Sequence, residues 1–368
     1  MGHILNGWSI NGLTFSEGSA SPGGGSPTPV YPFNLCYLVV AGGGGGGATT
    51  RVYCGIAFGG GAGGGGGGYL EGTESFSAGT YCIIIGAGGS GTQPCSGLSY
   101  NEPAMNSPGG YSCLQGLLSG GNPMCAYGGG AGGNRTGSVS GSPAQPSACR
   151  INCCNGQDGG SGGGASYNAE AFPNTNGTAG SGGVGGPGSS GQGYPGGAAC
   201  LTYTNSGGGG GAGGPGCARA ITGPTVSCGA PGGPGRQWVP NATYYGGGGG
   251  GGTSNWSSTP TCQGSQGGTG GGGASGLVCQ GNVCREAQNG CINTGGGGGG
   301  VYTTYGATPS QSICPYMRCP AGSGGSGIVV VMYEGPQRAT GGTVTTSGTC
   351  IFHTFTSSGN LCLLSNFV

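Results

Sequence analysis

Glycine tracts dominate this sequence and limit its possible folds more than any other feature. The longest, at 59–68, contains nine glycines interrupted only by Ala62. Further tracts lie at 42–47, 128–133, 159–164, 207–214, 246–252, 270–273 and 295–300. Any fold of this chain must therefore accommodate long stretches of backbone without side chains.

Such tracts make poor α-helices and weak β-strands, because glycine loses the most backbone entropy on ordering and has no side chain to bury. The two remaining conformations for such a tract are disorder and polyglycine II. Polyglycine II is a left-handed helix with three residues per turn, a rise of about 3.1 Å per residue and no internal hydrogen bonds. Its amide groups point outward in three directions. Closely packed rods can therefore satisfy the N–H and C=O groups of one another through hydrogen bonds between rods. We predict a bundle of these rods, with the interrupted tracts at its periphery because each alanine occupies one face.

The arrangement of the glycines indicates a single glycine-rich domain over residues 36–368. Glycine accounts for 105 of 368 residues but follows no strict Gly-X-Y register, which excludes collagen. Each repeating unit is one tract plus one insert, and no tract can satisfy its own amides, so all must pack together. Residues 1–35 contain Asn-Gly turn signals and a Pro/Gly/Ser spacer. We predict that they form a small hairpin and an N-terminal attachment segment.

Charge is scarce, with eight basic residues, eight acidic residues and a net charge of zero. The chain lacks the basic patch that binding to nucleic acid or an anionic membrane requires. No apolar run reaches the roughly 18 residues that a transmembrane helix needs. We therefore expect no nucleic-acid partner and no membrane insertion.

Twenty cysteines favour an oxidising, extracellular setting and a disulfide-rich protein. The first residues, Met1 to Asn6, show neither the basic nor the apolar part of a secretory signal. Both observations fit a protein that is assembled inside a cell, released on a virion and then oxidised. We predict that most of the cysteines are paired and that the protein is located on a virion surface or outside cells.

Apolar residues concentrate near the two ends of the glycine-rich region. Strands are predicted at 36–40, 69–72, 75–86 and 328–333, followed by a terminal strand pair at 350–355 and 361–364. The predicted fold class is mostly irregular and β: a disulfide-rich bundle of polyglycine II helices, closed by a small antiparallel β-core of N- and C-terminal strands. Between 87 and 321 we expect only tracts and irregular inserts.

The sequence contains no recognisable catalytic, cofactor or metal site, so we predict a non-enzymatic protein without cofactors. Residues 86–91 imitate a nucleotide-binding loop, but no amphipathic helix follows them. The tightest cysteine spacings, Cys279 with Cys284 and Cys314 with Cys319, do not match a zinc ribbon. His353 lies on a predicted strand, where a packed residue is expected rather than a general base.

Aromatic residues in the inserts are the remaining functional signal. Tyrosine and tryptophan among Ser, Gly and Asn are typical of adaptable binding loops, although such rings also cover neighbouring backbone. We place the binding surface on the inserts 236–245, 253–262 and 301–319, because their aromatic side chains offer a large contact area and stack well on sugar rings. Their predicted receptor-binding residues are Trp238, Tyr244, Tyr245, Trp256, Tyr302, Tyr305 and Tyr316.

Three segments resemble a known family. They are Tyr37-Leu38-Val39-Val40-Ala41 with the six glycines that follow, residues 324–333, and residues 341–359. Together they are similar to the glycine-rich domain of phage tail-fibre and minor tail proteins, and in architecture to the polyglycine sandwich adhesins at tail-fibre tips. The resemblance covers roughly 36–368. It implies a polyglycine II bundle whose connecting loops at one end contact the host surface.

The predicted function is that of a virion adhesin, on a tail fibre or surface fibre, whose loops bind a host cell-surface glycan or protein. The N-terminal segment would attach it to other virion or fibre proteins, and a homo-oligomer is left open. The alternative is a structural subunit of a fibre, virion coat or extracellular filament, in which the loops bind neighbouring subunits. A third hypothesis is ice binding by a flat polyglycine face.

Overall fold

The computed structural model describes residues 9–10, 13–14, 33–48, 59–93, 106–116, 123–134, 155–166, 191–199, 206–218, 230–252, 264–278, 284–303 and 320–364. The described strands, in chain order, are β1 (Ser9–Ile10), β2 (Leu13–Thr14), β3 (Phe33–Val40), β4 (Gly59–Gly60), β5 (Tyr69–Phe76), β6 (Gly79–Ile84), β7 (Ser112–Gln115), β8 (Met124–Ala126), β9 (Arg236–Trp238), β10 (Thr243–Tyr245), β11 (Gly276–Val278), β12 (Cys284–Arg285), β13 (Val301–Thr303), β14 (Ile328–Glu334), β15 (Ala339–Thr340), β16 (Thr343–Ser347), β17 (Cys350–Phe355) and β18 (Gly359–Leu363). A 3₁₀ helix spans Val239–Asn241. The described part of the chain contains no helix long and apolar enough to cross a membrane.

Two antiparallel five-stranded sheets form a sandwich. The first sheet has the order β16-β17-β14-β3-β5, and the second has the order β15-β18-β6-β7-β8. The strands predicted from the apolar runs are confirmed, but β17 and β18 do not pair with each other. β17 pairs with β14 and β16, whereas β18 pairs with β6 and β15. β7 and β8 come from the region in which only tracts and inserts were predicted.

The core of the sandwich follows from alternation along the strands. In β14, Val329, Val331 and Tyr333 face the second sheet, while Ile328, Val330 and Met332 face the opposite way. The inward residues pack against a layer supplied by the second sheet. That layer contains Tyr81, Ile83, Leu114, Ala126, Ala339, Leu361 and Leu363. Full burial of each large aliphatic side chain contributes about 1.5–3 kcal/mol.

The outward face of the first sheet is also covered. β9 and β10 form a hairpin that places Trp238 and Tyr245 against Val330, Met332 and Phe352. Trp238 meets Phe352 edge to face, with ring centroids 6.2 Å apart. Strands that carry apolar residues on both faces, as β3 and β14 do, are thus buried on both sides.

The glycine tracts run away from the sandwich and hydrogen-bond to one another. In tract 42–47, donors three residues apart bind acceptors three residues apart in the same neighbour, at N···O distances of 2.8–3.0 Å. These pairs run from Gly42 and Gly45 to Gly110 and Ser107, from Gly43 and Gly46 to Gly325 and Gly322, and from Gly44 and Gly47 to Gly65 and Ala62. Successive N–H groups of the tract therefore donate to three different neighbouring segments.

The longest tract lies at the centre of this bundle. Within the described residues, 61–68 donates hydrogen bonds to three segments (127–133, 207–210 and 295–301) and accepts them from three others (41–47, 161–164 and 249–252). Its interrupting residue, Ala62, is fully buried. The prediction that interrupted tracts lie at the periphery is therefore wrong, because a single methyl group fits even among six neighbours.

Close approach explains why the central positions are glycine. A Cβ atom on Gly63, Gly64 or Gly65 would lie less than 3.0 Å from a carbonyl oxygen of Gly249, Gly44 or Ser161 respectively, a separation that real Cβ atoms essentially never show. These three clashes fall on three different neighbouring segments. The tract thus has no free side along this stretch.

Two smaller elements complete the description. β4, β11, β12 and β13 form a sheet at tract ends, in the order β12-β11-β13-β4. β1 and β2 pair antiparallel, with Ser9 opposite Thr14 and Ile10 opposite Leu13. The predicted N-terminal hairpin is therefore present.

Candidate functional site: the insert end of the bundle

Side chains tie the tract ends together in a layer remote from the sandwich. The side-chain oxygen Oδ1 of Asn134 accepts the backbone N–H of Ala48 at 3.0 Å and the hydroxyl of Thr92 at 2.6 Å. Nδ2 of Asn134 donates to the Asn106 side chain at 2.7 Å, and Asn106 in turn donates to the carbonyl of Gly132 at 2.6 Å. All three side chains, Thr92, Asn106 and Asn134, are buried. They fix the relative positions of four tract ends.

The same layer continues across the central tract. The carbonyl of Gly60 accepts the hydroxyls of Ser166 and Ser206, at 2.9 and 2.6 Å. Ala48, Val301 and Ala321 form a small apolar cluster beside it. We call this layer the insert end, because segments of chain between successive tracts depart from it and return to it. They include 49–58, 94–105, 253–263 and 304–319.

Two predicted binding residues do not lie at this end. Trp238 and Tyr245 belong to the β9–β10 hairpin on the sandwich, and they are only 2% and 4% exposed. Their rings fill the apolar cluster on the first sheet. Neither ring is available as an exposed contact group, because its apolar surface is already buried within the protein.

The other predicted aromatic residues divide between two regions. Tyr244 is 45% exposed, but it lies on the sandwich hairpin rather than at the insert end. Tyr302 is in β13, and its backbone pairs with Gly60 at the insert end. Trp256, Tyr305 and Tyr316 lie outside the described residues, in segments that depart from the insert end. For these residues receptor binding remains a prediction.

An ion pair locks the β9–β10 hairpin to the sandwich. Arg236 donates to Glu71 at 2.6 Å and lies over the ring of Tyr69, 5.1 Å from its centroid. The Tyr69 hydroxyl also donates to Glu71, at 2.8 Å. Burial, followed by the nearby Glu71 charge, raises the pKa of Tyr69, so it stays protonated. The hairpin is therefore a fixed part of the scaffold.

His353 is a structural residue. It is fully buried, its Nδ1 lies 2.8 Å from the carbonyl of Gly341, and its Nε2 lies 3.0 Å from the hydroxyl of Tyr333. Because a carbonyl can only accept, Nδ1 carries the proton and Nε2 accepts from Tyr333. Burial lowers the pKa of His353, against the raising effect of the Gly341 hydrogen bond. The packed strand residue expected from the sequence is confirmed.

The described cysteines depart from the predicted pairing. Cys113 and Cys125 form a disulfide between β7 and β8. Six other cysteines with described side chains have free thiols: Cys36, Cys82, Cys217, Cys291, Cys350 and Cys362. The remaining cysteines lie in segments, or carry side chains, that the structure does not describe. Among the described residues, no three His, Cys, Asp or Glu side chains come together as metal ligands.

Sequence reasoning missed the polar residues that organise the bundle. Asn106, Asn134 and Gln192 lie in inserts or at tract ends, where the sequence indicates only turn-forming composition. Asn106 and Asn134 satisfy backbone groups at tract ends, and Gln192 satisfies those of Cys125 and Tyr127 beside β8. Their positions close to glycine tracts are the sequence signal that could have identified these polar residues.

Comparison with models of known protein families and with curated proteins gave no match for this chain.

Proposed function

We propose that the tracts are polyglycine II helices and that their bundle is a rigid scaffold for display. The three-residue period of the hydrogen bonds and the three directions of successive amides support this proposal. So does the tight contact of backbone with backbone, which only glycine permits. Rods of this kind carry no side chains of their own to recognise a ligand, so recognition falls to the inserts.

The displayed inserts would make the protein a non-enzymatic adhesin on a virion fibre, binding a glycan or protein of the host surface. The observation that carries this proposal is the insert end, where buried side chains hold neighbouring tract ends in one layer while long segments depart from it. Segments anchored at both flanks can change sequence without disturbing the rods. That separation suits a variable binding surface.

The opposite end of the molecule would face the fibre. Residues preceding β3 join the chain to the sandwich at Phe33, far from the insert end. Attachment through the N-terminal segment would therefore leave the inserts pointing away from the particle. The resemblance to tail-fibre domains supports this orientation and a location on the virion surface.

The test measures binding of the labelled, full-length protein to a panel of intact bacterial strains. We expect saturable binding to at least one strain, strongly reduced in the Trp256→Ala/Tyr305→Ala double variant. Tyr244→Ala, an exposed tyrosine on the sandwich, is the matched control and should bind like the parent. Equal melting temperatures would show that the fold is intact. Equal binding of the double variant would remove these two residues from the proposed surface.

The second candidate, a structural subunit of a fibre or coat, is favoured by the uncharged character of the chain, since no net charge opposes self-association. It predicts concentration-dependent assembly in sedimentation experiments. Assembly that is lost in the Trp256→Ala/Tyr305→Ala variant, without binding to any strain, would favour this candidate over the adhesin.

A further inference from the structure

In the described part of the bundle, prolines occur only in its outer segments. The central tract 61–68 and the six segments that hydrogen-bond to it contain no proline. Other segments bond to those six but not to the central tract, and several of these outer segments contain proline. They are 107–110 with Pro108, 194–197 with Pro195, 213–217 with Pro215, 231–235 with Pro231 and Pro234, and 320–325 with Pro320. All of these prolines are exposed except Pro320, which is half-buried.

Segment 231–235 shows which N–H groups the prolines replace. Gly232 and Gly235, three residues apart, donate to carbonyls of one neighbouring segment at 3.0 and 2.7 Å. Gly233 donates in a second direction, to tract 207–214, at 2.8 Å. The three-residue period assigns the third direction to the two prolines of this segment. Both are exposed, and proline has no N–H group to leave unpaired there.

Segment 107–110 repeats this assignment. Ser107 and Gly110 donate to carbonyls of one neighbouring segment, at 3.0 and 2.8 Å. Gly109 donates to an inner tract at 2.9 Å. The remaining direction again belongs to an exposed proline, Pro108. In both segments, proline therefore stands at the position whose N–H would point away from the bundle.

Side chains bind the N–H group at several other peripheral positions. Ser323 shares its direction with Pro320, three residues earlier, and its N–H donates to Oδ1 of Asn289 at 2.8 Å. The N–H of Ser90 donates to the hydroxyl of Ser107 at 2.9 Å. These donors are thus bound by short polar side chains instead of by the backbone of a further segment.

Unpaired N–H groups at regular spacing would be a template for another chain, as they are on an exposed sheet edge. Inside this bundle, such groups bind carbonyls that are also three residues apart, a rise of about 9 Å. A second copy of the protein carries the same spacing on its own outer segments. Proline is one of the residues by which sheet edges are protected from this kind of pairing.

We propose that the outer prolines close the sides of the bundle and keep a second copy of the chain from joining it side by side. The second copy finds no N–H groups at these positions with which to extend the hydrogen-bonded array. The closure is independent of the inserts and of what they bind. Self-association of the parent, if it occurs, would therefore use other surfaces.

The test is sedimentation velocity of the full-length Pro231→Gly/Pro234→Gly variant over a wide range of protein concentration. The variant restores two outward N–H groups and should self-associate at least about tenfold more tightly than the parent. Pro231→Lys/Pro234→Lys restores the same N–H groups but adds exposed charges, which oppose such pairing, and should sediment like the parent. Pro240→Gly/Pro336→Gly, which removes two prolines from the sandwich, should do the same.

Hydrogen exchange provides a second readout of the contact. In the assembled fraction, the amides restored at positions 231 and 234 should exchange more slowly than in the dilute, unassembled variant. Assembly of the parent through its inserts would occur in every variant, so the comparison with the parent tests the prolines alone.

Three outcomes would overturn the proposal. The first is equal sedimentation of Pro231→Gly/Pro234→Gly and the parent. The second is equal association of the lysine or sandwich variants, which would trace the effect to the loss of proline rigidity. The third is rapid exchange of the restored amides in the assembled fraction, which would locate the new contact elsewhere.

Discussion

The hydroxyl of Tyr333 lies 3.0 Å from Nε2 of His353, and the same hydroxyl accepts the backbone N–H groups of Arg338 and Ala339 at 2.9 and 3.1 Å. One oxygen thus joins β14 and β17 to the segment that crosses from the first sheet to the second. Because it accepts two hydrogen bonds, its own proton is directed at His353. This arrangement requires the imidazole to be neutral.

Stability should therefore fall as the pH drops below neutrality. The unfolded His353 has a pKa of 6.5, and burial holds the native pKa below that value. Between these two values the unfolded chain binds a proton that the native chain does not, so the free energy of unfolding decreases with falling pH. Above about pH 7.5 this contribution is complete and constant.

Calorimetry of the parent and His353→Gln between pH 8 and pH 5 checks this expectation. The melting temperature of the parent should decline more steeply, since His3 is the only other histidine in the chain. Parallel curves for the two proteins would contradict a linked titration of His353.

Removing the Tyr333 hydroxyl should destabilise the sandwich. In Tyr333→Phe the half-buried N–H of Arg338 and the buried N–H of Ala339 lose the hydroxyl as acceptor. An unsatisfied buried group such as that of Ala339 costs about 1–3 kcal/mol. Denaturant titration should show the loss, whereas Tyr244→Phe, on an exposed ring, should leave the free energy of unfolding unchanged. Similar values for both variants would mean that water replaces the hydroxyl.

Alanine in the middle of a tract should be far more costly than alanine at an exposed glycine outside the tracts. A Cβ atom on Gly249 would meet the carbonyl oxygen of Gly298, whereas one on Gly191 meets nothing within 4 Å. Gly249→Ala should cost at least about 1–3 kcal/mol, because backbone on both sides has to shift. Gly191→Ala should be neutral or stabilising by about 0.4–1 kcal/mol. Thermal melts that place both variants together would argue against close packing of the rods.

Trp238 should be needed for stability. Trp238→Ala removes a buried ring from the cluster with Met332 and Phe352, and such truncations cost about 3–5 kcal/mol. The neighbouring Tyr244→Ala is the control and should change stability by less than about 0.5 kcal/mol. A melting temperature of Trp238→Ala equal to that of the control would place the indole outside the core.

The state of the cysteines can be counted directly. Alkylation of the denatured, unreduced protein followed by mass spectrometry should find Cys113 and Cys125 blocked and Cys36, Cys82, Cys217, Cys291, Cys350 and Cys362 labelled. Cys113→Ala/Cys125→Ala should lower stability by up to about 3 kcal/mol, as expected for a short loop. Cys82→Ser, at an exposed thiol, should not. Masses showing that the six thiols are oxidised would instead support the prediction, made from composition, that most of the cysteines form disulfides.

Local pattern determined much of this architecture. The apolar runs at 36–40 and 328–333 predicted the two strands that lie side by side in the first sheet, because β-branched residues favour extended backbone whatever surrounds them. In the structure both strands carry buried apolar residues on both faces. The glycine tracts likewise required close backbone packing, since no other use of such a run satisfies its amides.

What only the tertiary structure decided is the position of each insert relative to the two ends of the bundle. Residues 236–245 and 253–262 each contain a tryptophan, yet they flank opposite ends of tract 246–252. Trp238 is therefore buried on the sandwich, while 253–263 follows the tract at the insert end. The sequence specifies which residues are able to bury apolar surface. The end of the bundle that an insert reaches depends instead on the neighbouring segments with which the adjoining tract pairs its amides. Those neighbours lie tens or hundreds of residues away, and local pattern contains no information about them.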